Sequence, residues 1–326
     1  IRLSVIVSIL AICLAPDAWA GQVVFTKDYT YQASEADSKI SCRAIAVEQV
    51  KRLLLEQAGT FVQTETVVKE FKLDKDQVVS MTAGIVSVEI LSEKWDGERY
   101  ALTARVTLDP KQVAEALDNL RGNAVERAEL DQTRRQNEES LREIERLRKE
   151  LADLKKGAAQ PANLKEKQEE YARTVAGIGM NNLLERGSAL MELGENEKAL
   201  AVFEEAVRTD PENKRAYMGR GSANARLDRT EQALRDYDKA LELDPKFAKP
   251  YVGRGKVLRK LGKARESIKQ FNKAIELNPD FAQAYFERGL SYLKMREKDL
   301  GIFDLQRSAG MGYKKAREAL IDRGII

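Results

Sequence analysis

The sequence predicts three parts in series: a small α+β N-terminal domain, a long helix with a coiled-coil seam, and an all-α superhelix of paired helices. Three observations carry this. Residues 22–108 alternate short Val-, Thr- and Tyr-rich runs with one helical stretch. From Leu130 to Ala158 the chain repeats a seven-residue spacing. From about residue 180 a single pattern returns every 34 residues.

Composition narrows the function before any motif is read. Of 326 residues, 33% are charged, yet the net charge is only +3. That balance suits helices with long wet faces and does not point to nucleic acid. The sequence contains no histidine, which removes Ser-His-Asp and Cys-His nucleophiles, histidine zinc sites and c-type haem attachment. No cofactor or metal is expected.

Residues 1–20 read as a secretion signal. Arg2 is basic, Leu3 to Ala15 is mostly apolar, and Ala18-Trp19-Ala20 has the small-x-small form of a cleavage site before Gly21. The apolar run spans 13 residues, short of the roughly 20 that cross a bilayer. Ile12 stands where a lipoprotein needs a small residue before Cys13. The expectation is an exported, periplasmic protein whose membrane association is only indirect. Cys42 is then left alone, with no intramolecular disulfide partner. Its expected place is the buried face of a helix.

Residues 21–109 form the α+β domain. Val23–Phe25 and Tyr29–Tyr31 suggest one or two strands. Glu35–Gln57 reads as a helix with Ile40, Ala44, Val47, Leu54 and Ala58 on its apolar face, ended by Gly59. Thr60–Phe71 reads as a strand. Asp74 and Gln77 form a capping-box-like start to a short helix through Met81. Gly84–Lys94 and Arg99–Leu108 are strands joined at Asp96-Gly97, a type I′ turn signal. Trp95 is expected to cover the strand end. The order of helix, strand and hairpin resembles the N-terminal module of the flagellar assembly protein T family and related bacterial envelope lipoproteins.

Residues 110–157 follow as a long helix, with Asp109 as N-cap and Pro110 at its first position. Leu130, Asn137, Ile144, Leu151 and Ala158 fall seven apart, with Leu147 and Leu154 on the second seam. The spacing predicts self-association through 130–158, with Asn137 setting the register. The alternative is a single solvated helix. Residues 158–179 form a linker and lead-in helix.

Residues 180–313 hold four units. Leu183-Leu-Glu-Arg-Gly187 becomes Tyr217-Met-Gly-Arg-Gly221, Tyr251-Val-Gly-Arg-Gly255 and Tyr285-Phe-Glu-Arg-Gly289. A phosphate loop would occur once and with other spacing. Ala199, Ala233 and Ser267, then Phe203, Tyr237 and Phe271, then Ala206, Ala240 and Ala274 keep the period, and Pro211, Pro245 and Pro279 close the units. In the last unit Gly301, Leu305 and Ser308 stand at these places, and a capping helix at 314–326 ends the chain. Arg186, Arg220, Arg254 and Arg288 recur in step and read as structural, paired with nearby carboxylates.

On these residues 180–313 resembles the tetratricopeptide repeat (TPR), a stacked helix–turn–helix. The resemblance implies a hollow lined by the first helix of each unit. Carried over, its lining is Asn181, Leu184, Ser188 and Met191, then Arg215, Met218, Ser222 and Arg226. It continues with Lys249, Val252, Lys256 and Arg259, then Gln283, Phe286, Leu290 and Lys294. The middle is basic and the C-terminal end apolar. The implied ligand is an extended peptide or protein tail carrying carboxylates and an apolar side chain. Export, coiled coil and repeats together also resemble periplasmic cell-division coordinators linked to the Tol–Pal system, which lack the α+β part. The expected function is a non-enzymatic scaffold of the bacterial cell envelope that binds protein partners. The alternatives are glycan binding or a flagellar-assembly role through the α+β domain, or a hydrolase using two carboxylates. Exposed aromatics on the sheet would favour glycan binding.

Overall fold

The computed structural model describes residues 22–64, 75–83, 85–121, 124–156 and 161–326. The expected signal and its cleavage site, the strand reading over 65–71, the Asp74 cap and the linker at 157–160 lie outside them.

The N-terminal sheet is antiparallel in the order β1 (Val23–Gln32), β3 (Arg99–Leu108), β2 (Val88–Trp95). β1 is one strand, paired from Val23 opposite Leu108 to Gln32 opposite Arg99. The β2–β3 register shifts between Ile90 and Ser92, where Leu91 is the extra residue. Their connection differs from a type I′ turn. Only Gly97 has positive φ (101°), and the Asp96 carboxylate accepts the Glu98 and Arg99 amides at 3.0 and 2.6 Å. A side-chain Asx turn replaces the second left-handed residue.

Helix α1 spans Lys39–Thr64, so Thr60–Thr64 continue a helix where the sequence suggested a strand. Gly59 does not end it. A Cβ there would come within 2.5 Å of Val79 Cγ2, so this glycine permits close approach of α2 (Lys75–Ala83). The buried face is also rotated from the one expected. Cys42, Ile45, Ala46, Val50, Leu54 and Ala58 are buried, Ala44 and Val47 are half-buried, and Ile40 is 80% exposed. The helix is covered on more than one side, by the sheet, by α2 and by the helix Pro161–Glu192, which blurs any single stripe. Cys42 packs as a small hydrophobe, and burial pushes its thiol up to about 11.

Against α1 the sheet presents Tyr31, Tyr100, Leu102, Ala104, Val106 and Leu108. Trp95 is half-buried and lies 6.2 Å from the Tyr100 ring, at the strand end. The other sheet face carries Thr26, Asp28, Thr30, Thr103 and Arg105, with Thr103 bonded to Asp28 and Arg105 to Glu89. Among the described residues this face has no aromatic side chain, the feature that would have favoured glycan binding.

The expected long helix is two: α3 (Pro110–Arg121) and α4 (Ala124–Lys156). Asp109 Oδ1 caps α3 through the Lys111 amide at 2.8 Å. Helix α5 (Pro161–Glu192) runs back along α4, as Lys167–Glu150, Arg146–Glu170 and Asn181–Asn137 show by their reversed order. The seam expected to drive self-association is packed inside the chain. Leu141, Ile144, Leu147 and Leu151 are buried in one cluster with Tyr171, Val175 and Ile178 of α5 and the core under α1. The seam is filled within a single chain. Asn137 is 2% exposed; it donates to Glu48 Oε1 at 3.3 Å and accepts from Asn181 at 2.7 Å. It fixes register, but between α1, α4 and α5.

One carboxylate ties these parts together. Asp37 accepts the Ser34 amide (2.7 Å) and hydroxyl (2.8 Å), the Ser41 hydroxyl (3.4 Å) and the hydroxyls of Tyr31 and Tyr171; Arg148 lies at 3.5 Å. Burial, with the nearby carboxylate, raises both tyrosines well above their ordinary value.

The rest is helix pairs: α6 (Asn196–Thr209), α7 (Lys214–Arg226), α8 (Thr230–Leu243), α9 (Ala248–Lys260), α10 (Ala264–Leu277), α11 (Ala282–Lys294), α12 (Lys298–Gly310) and α13 (Lys314–Ile321). The end of α5 serves as first helix of the first pair. Both glycines of the Gly-x-Gly motif are explained by packing. A Cβ on Gly187 or Gly219 would come within 2.6 or 2.3 Å of the Phe203 ring, and Gly221 and Gly253 flank Tyr237 in the same way. The second glycine thus meets its own unit's aromatic, and the first meets the aromatic of the unit before. In the last unit Gly289 and Gly301 bring the two helices together backbone to backbone. Asp210, Asp244 and Asn278 are extended before Pro211, Pro245 and Pro279, as a residue preceding proline must be.

Candidate functional site

The inner helices of the pairs enclose a hollow of about 820 Å³. Of the residues carried over from the repeat pattern, Leu184, Ser188, Met191, Arg215, Met218, Ser222, Arg226, Lys249, Val252, Lys256, Arg259, Gln283 and Lys294 line it. Three do not. Asn181 turns toward Asn137. Phe286 packs against Tyr313 of the cap, ring centroids 5.3 Å apart. Leu290 is half-buried away from the hollow. The expected apolar C-terminal end is therefore largely consumed by the capping helix.

The repeat pattern also missed residues. Lys260, Lys314 and Lys315 add to the basic lining. One wall does not belong to the repeats at all. Ala116 and Leu120 of α3 and Glu129, Leu130 and Thr133 of α4 close one side, beside Ile85. No repeat-based reading reaches these residues, because they lie before the first unit.

Charge decides what the hollow can hold. Nine lysines and arginines line it, against Glu129, Glu185 and Glu192. Several cations are already engaged. Arg226 donates to the Met191 carbonyl and pairs with Glu192, and Arg259 pairs with buried Glu287. Lys260 pairs with Asp228, and Lys294 donates to the Arg259 carbonyl at 3.0 Å. Lys256 sits 3.9 Å from Glu287 with its side chain 48% exposed, and Lys315 is exposed. Arg215 is deep enough that burial pulls its guanidinium below the ordinary value. The Asp118 carboxylate holds Lys314 above its own. The site suits an anionic ligand with room for apolar groups along Met218, Val252 and Leu130.

The periodic arginines stand outside this site. Arg220 clasps Asp236 (2.6–3.1 Å) and Arg288 clasps Asp304 (2.7 and 2.8 Å), each carboxylate sixteen residues on. Arg254 has glutamine at that spacing and pairs instead with Asp238 at 3.2 Å. The Arg220 and Arg288 bonds join the two helices of one unit, and the Arg254 pair joins neighbouring units, in keeping with the structural reading.

Among the described residues no group of carboxylates or thiols is arranged to hold a metal, and no helix is long and apolar enough to cross a membrane.

Comparison with known proteins places the repeats. Residues 184–246 match a tetratricopeptide-repeat family model, and 255–295 match a second TPR model. Solved structures similar to the chain include MamA, at 23% identity over 48% of this chain and 98% of that one, TM-score 0.37. The thermophilic TPR protein TTC0263 of Thermus thermophilus is 18% identical over 50% and 95%, TM-score 0.42. The first TPR domain of human RPAP3 is 26% identical over 37% and 94%, TM-score 0.35. Among curated proteins, none matches the chain significantly.

Proposed function

We propose that this tetratricopeptide-repeat chain is an interaction scaffold that holds an acidic protein partner in the hollow of its array. The observation that carries it is the excess of cations lining a cavity of about 820 Å³, with Lys256 and Lys315 still open to solvent. Carboxylates on a partner would find charge-assisted hydrogen bonds there, and its apolar side chains would find Met218 and Val252. The N-terminal residues Leu3–Ala20 support placing the scaffold in the bacterial cell envelope after export.

Crosslinking in intact cells followed by mass spectrometry tests this. The variant Lys256→Glu/Lys294→Glu/Lys315→Glu leaves the cations that contact α3 and α4 untouched. It should lose the proteins captured by the unaltered chain. An unchanged set of captured proteins refutes the reading, and an exclusively cytoplasmic set refutes the envelope placement.

A further inference from the structure

Helices α3 and α4 lie along the mouth of the hollow, and their contacts with the repeats share one chemistry. Asp118 meets Lys314 at 3.0 Å. Glu129 pairs with Lys249 and lies 3.7 Å from Arg215 Nε. Arg215 also donates to Thr133 Oγ1 at 3.2 Å. Between these polar points Val125 packs into the cluster of Val252, Phe271 and Phe281. Helical carboxylates thus reach cations of α7, α9 and α13, with an apolar residue seated among them.

This is the ligand chemistry that the basic lining calls for, supplied from inside the chain. On the far side α3 and α4 are held firmly. Val113 and Leu117 are buried in the N-terminal core, and Ser80 donates to Asp131 at 2.6 Å. Toward the repeats the grip is lighter, because the paired side chains keep 22–36% of their surface in solvent. Ion pairs that water still reaches are screened by salt, and they hold less tightly than buried apolar contacts. The contact can therefore open by a swing of the array away from α3 and α4, with both helices intact.

We propose that the hollow is a receptor for an amphipathic helix that presents carboxylates, that α3 and α4 of the same chain hold one side of it at rest through Asp118 and Glu129, and that a partner helix with carboxylates so placed competes for Arg215, Lys249 and Lys314. This rests on the hollow being the protein-binding site. It goes further in giving the partner a helical form, where an extended peptide was the first expectation, and in making binding conditional on release of an internal competitor.

The probe is a fluorescent synthetic peptide of residues 110–137, titrated into the full chain and followed by anisotropy. Asp118→Lys/Glu129→Lys removes the internal carboxylates and should bind the peptide about tenfold tighter than the unaltered chain. Adding Arg215→Glu/Lys249→Glu should abolish that binding. Equal affinity for the unaltered and released chains overturns the proposal, as does no binding to either. The unaltered chain gives a second reading that no folding defect can confuse. Zero-length carbodiimide coupling should join Glu129 to Lys249 and Asp118 to Lys314, and failure to find either link by mass spectrometry also overturns it. Loss of partners in the Lys256/Lys294/Lys315 variant, together with failure of the peptide to bind, would remove this inference and leave the scaffold reading standing.

Discussion

Gly219→Ala and Gly177→Ala are the same chemical change in two helices, and the structure gives them opposite signs. At Gly219 the new methyl would sit 2.3 Å from Phe203 Cε1 and 2.6 Å from Cδ1. The ring has little retreat, because Gly187 of the first unit closes its other side so tightly that a Cβ there would come within 2.6 Å of it. Overpacking of this kind costs about 1–3 kcal/mol, and the degree of overlap puts it at the upper end. Alanine returns about 1 kcal/mol of helix propensity, leaving a net loss near 2 kcal/mol. At Gly177, exposed on α5, the methyl meets nothing within 4 Å, so the propensity gain of about 1 kcal/mol stands alone. Urea unfolding followed by circular dichroism separates the two. Stacked repeats unfold in steps, so amide exchange across 187–226 should locate the Gly219 defect. Phe203→Leu should cost less in the Gly219→Ala background than alone, a coupling expected of residues in contact. A Gly219→Ala chain as stable as the unaltered one would refute the reading of the Gly-x-Gly motif as an aromatic clamp.

Asp37→Ala leaves the buried hydroxyls of Tyr31 and Tyr171 without their acceptor, and Arg148 without its carboxylate. It should destabilise by about 3 kcal/mol in urea unfolding, and a loss within error of zero would refute the hub. Arg296 holds φ at +66° in the turn where Gly194 and Gly262 stand at the same place in other units. Arg296→Gly should therefore stabilise the chain by about 0.5–1 kcal/mol in urea unfolding, and destabilisation would refute the strain. Tyr237 is pushed up to about 12 from 10.0, chiefly by burial. Its folded value lies above the unfolded one, so its contribution is complete below pH 10 and is lost as pH rises toward 12. Urea midpoints measured against pH should fall over that window, and Tyr237→Phe should flatten the fall. An unchanged slope would refute the assignment.

The repeats were legible because their packing constraint recurs. A glycine that faces a ring must recur whenever the ring does, and a proline that closes one unit closes the next. The first glycine of Gly219-Arg-Gly221 was harder to place, since its partner Phe203 belongs to the preceding unit and Glu287 breaks the pattern later. The left-handed turn residue was hidden for a different reason. Gly194, Asp228, Gly262 and Arg296 share positive φ at one spacing, yet two of the four are not glycine, so residue type conceals the geometry. In the N-terminal domain the hairpin and strand Arg99–Leu108 were readable from alternation. The face of α1 was not, because a helix packed by a sheet and two further helices has no single stripe to read.

The heptads and the basic hollow were legible as surfaces but not as contacts, and for one physical reason. A pattern in sequence reports that a surface needs a complement; it does not report which chain supplies it. Leu141, Ile144, Leu147 and Leu151 needed apolar partners, and α5 with the core under α1 provides them. Arg215, Lys249 and Lys314 needed carboxylates, and Glu129 and Asp118 provide them from far off in the chain, 120 positions away for Glu129 and Lys249. The two cases differ in energetics. Buried leucines fully removed from water hold the helical hairpin closed by several kcal/mol, whereas partly exposed ion pairs contribute about 0.2–1 kcal/mol each. An external protein therefore has little prospect of prising α4 from α5, but it can compete for the hollow, and the order in which these two contacts yield to rising salt or urea is the measurable consequence: the array should part from α3 and α4 well before α4 parts from α5.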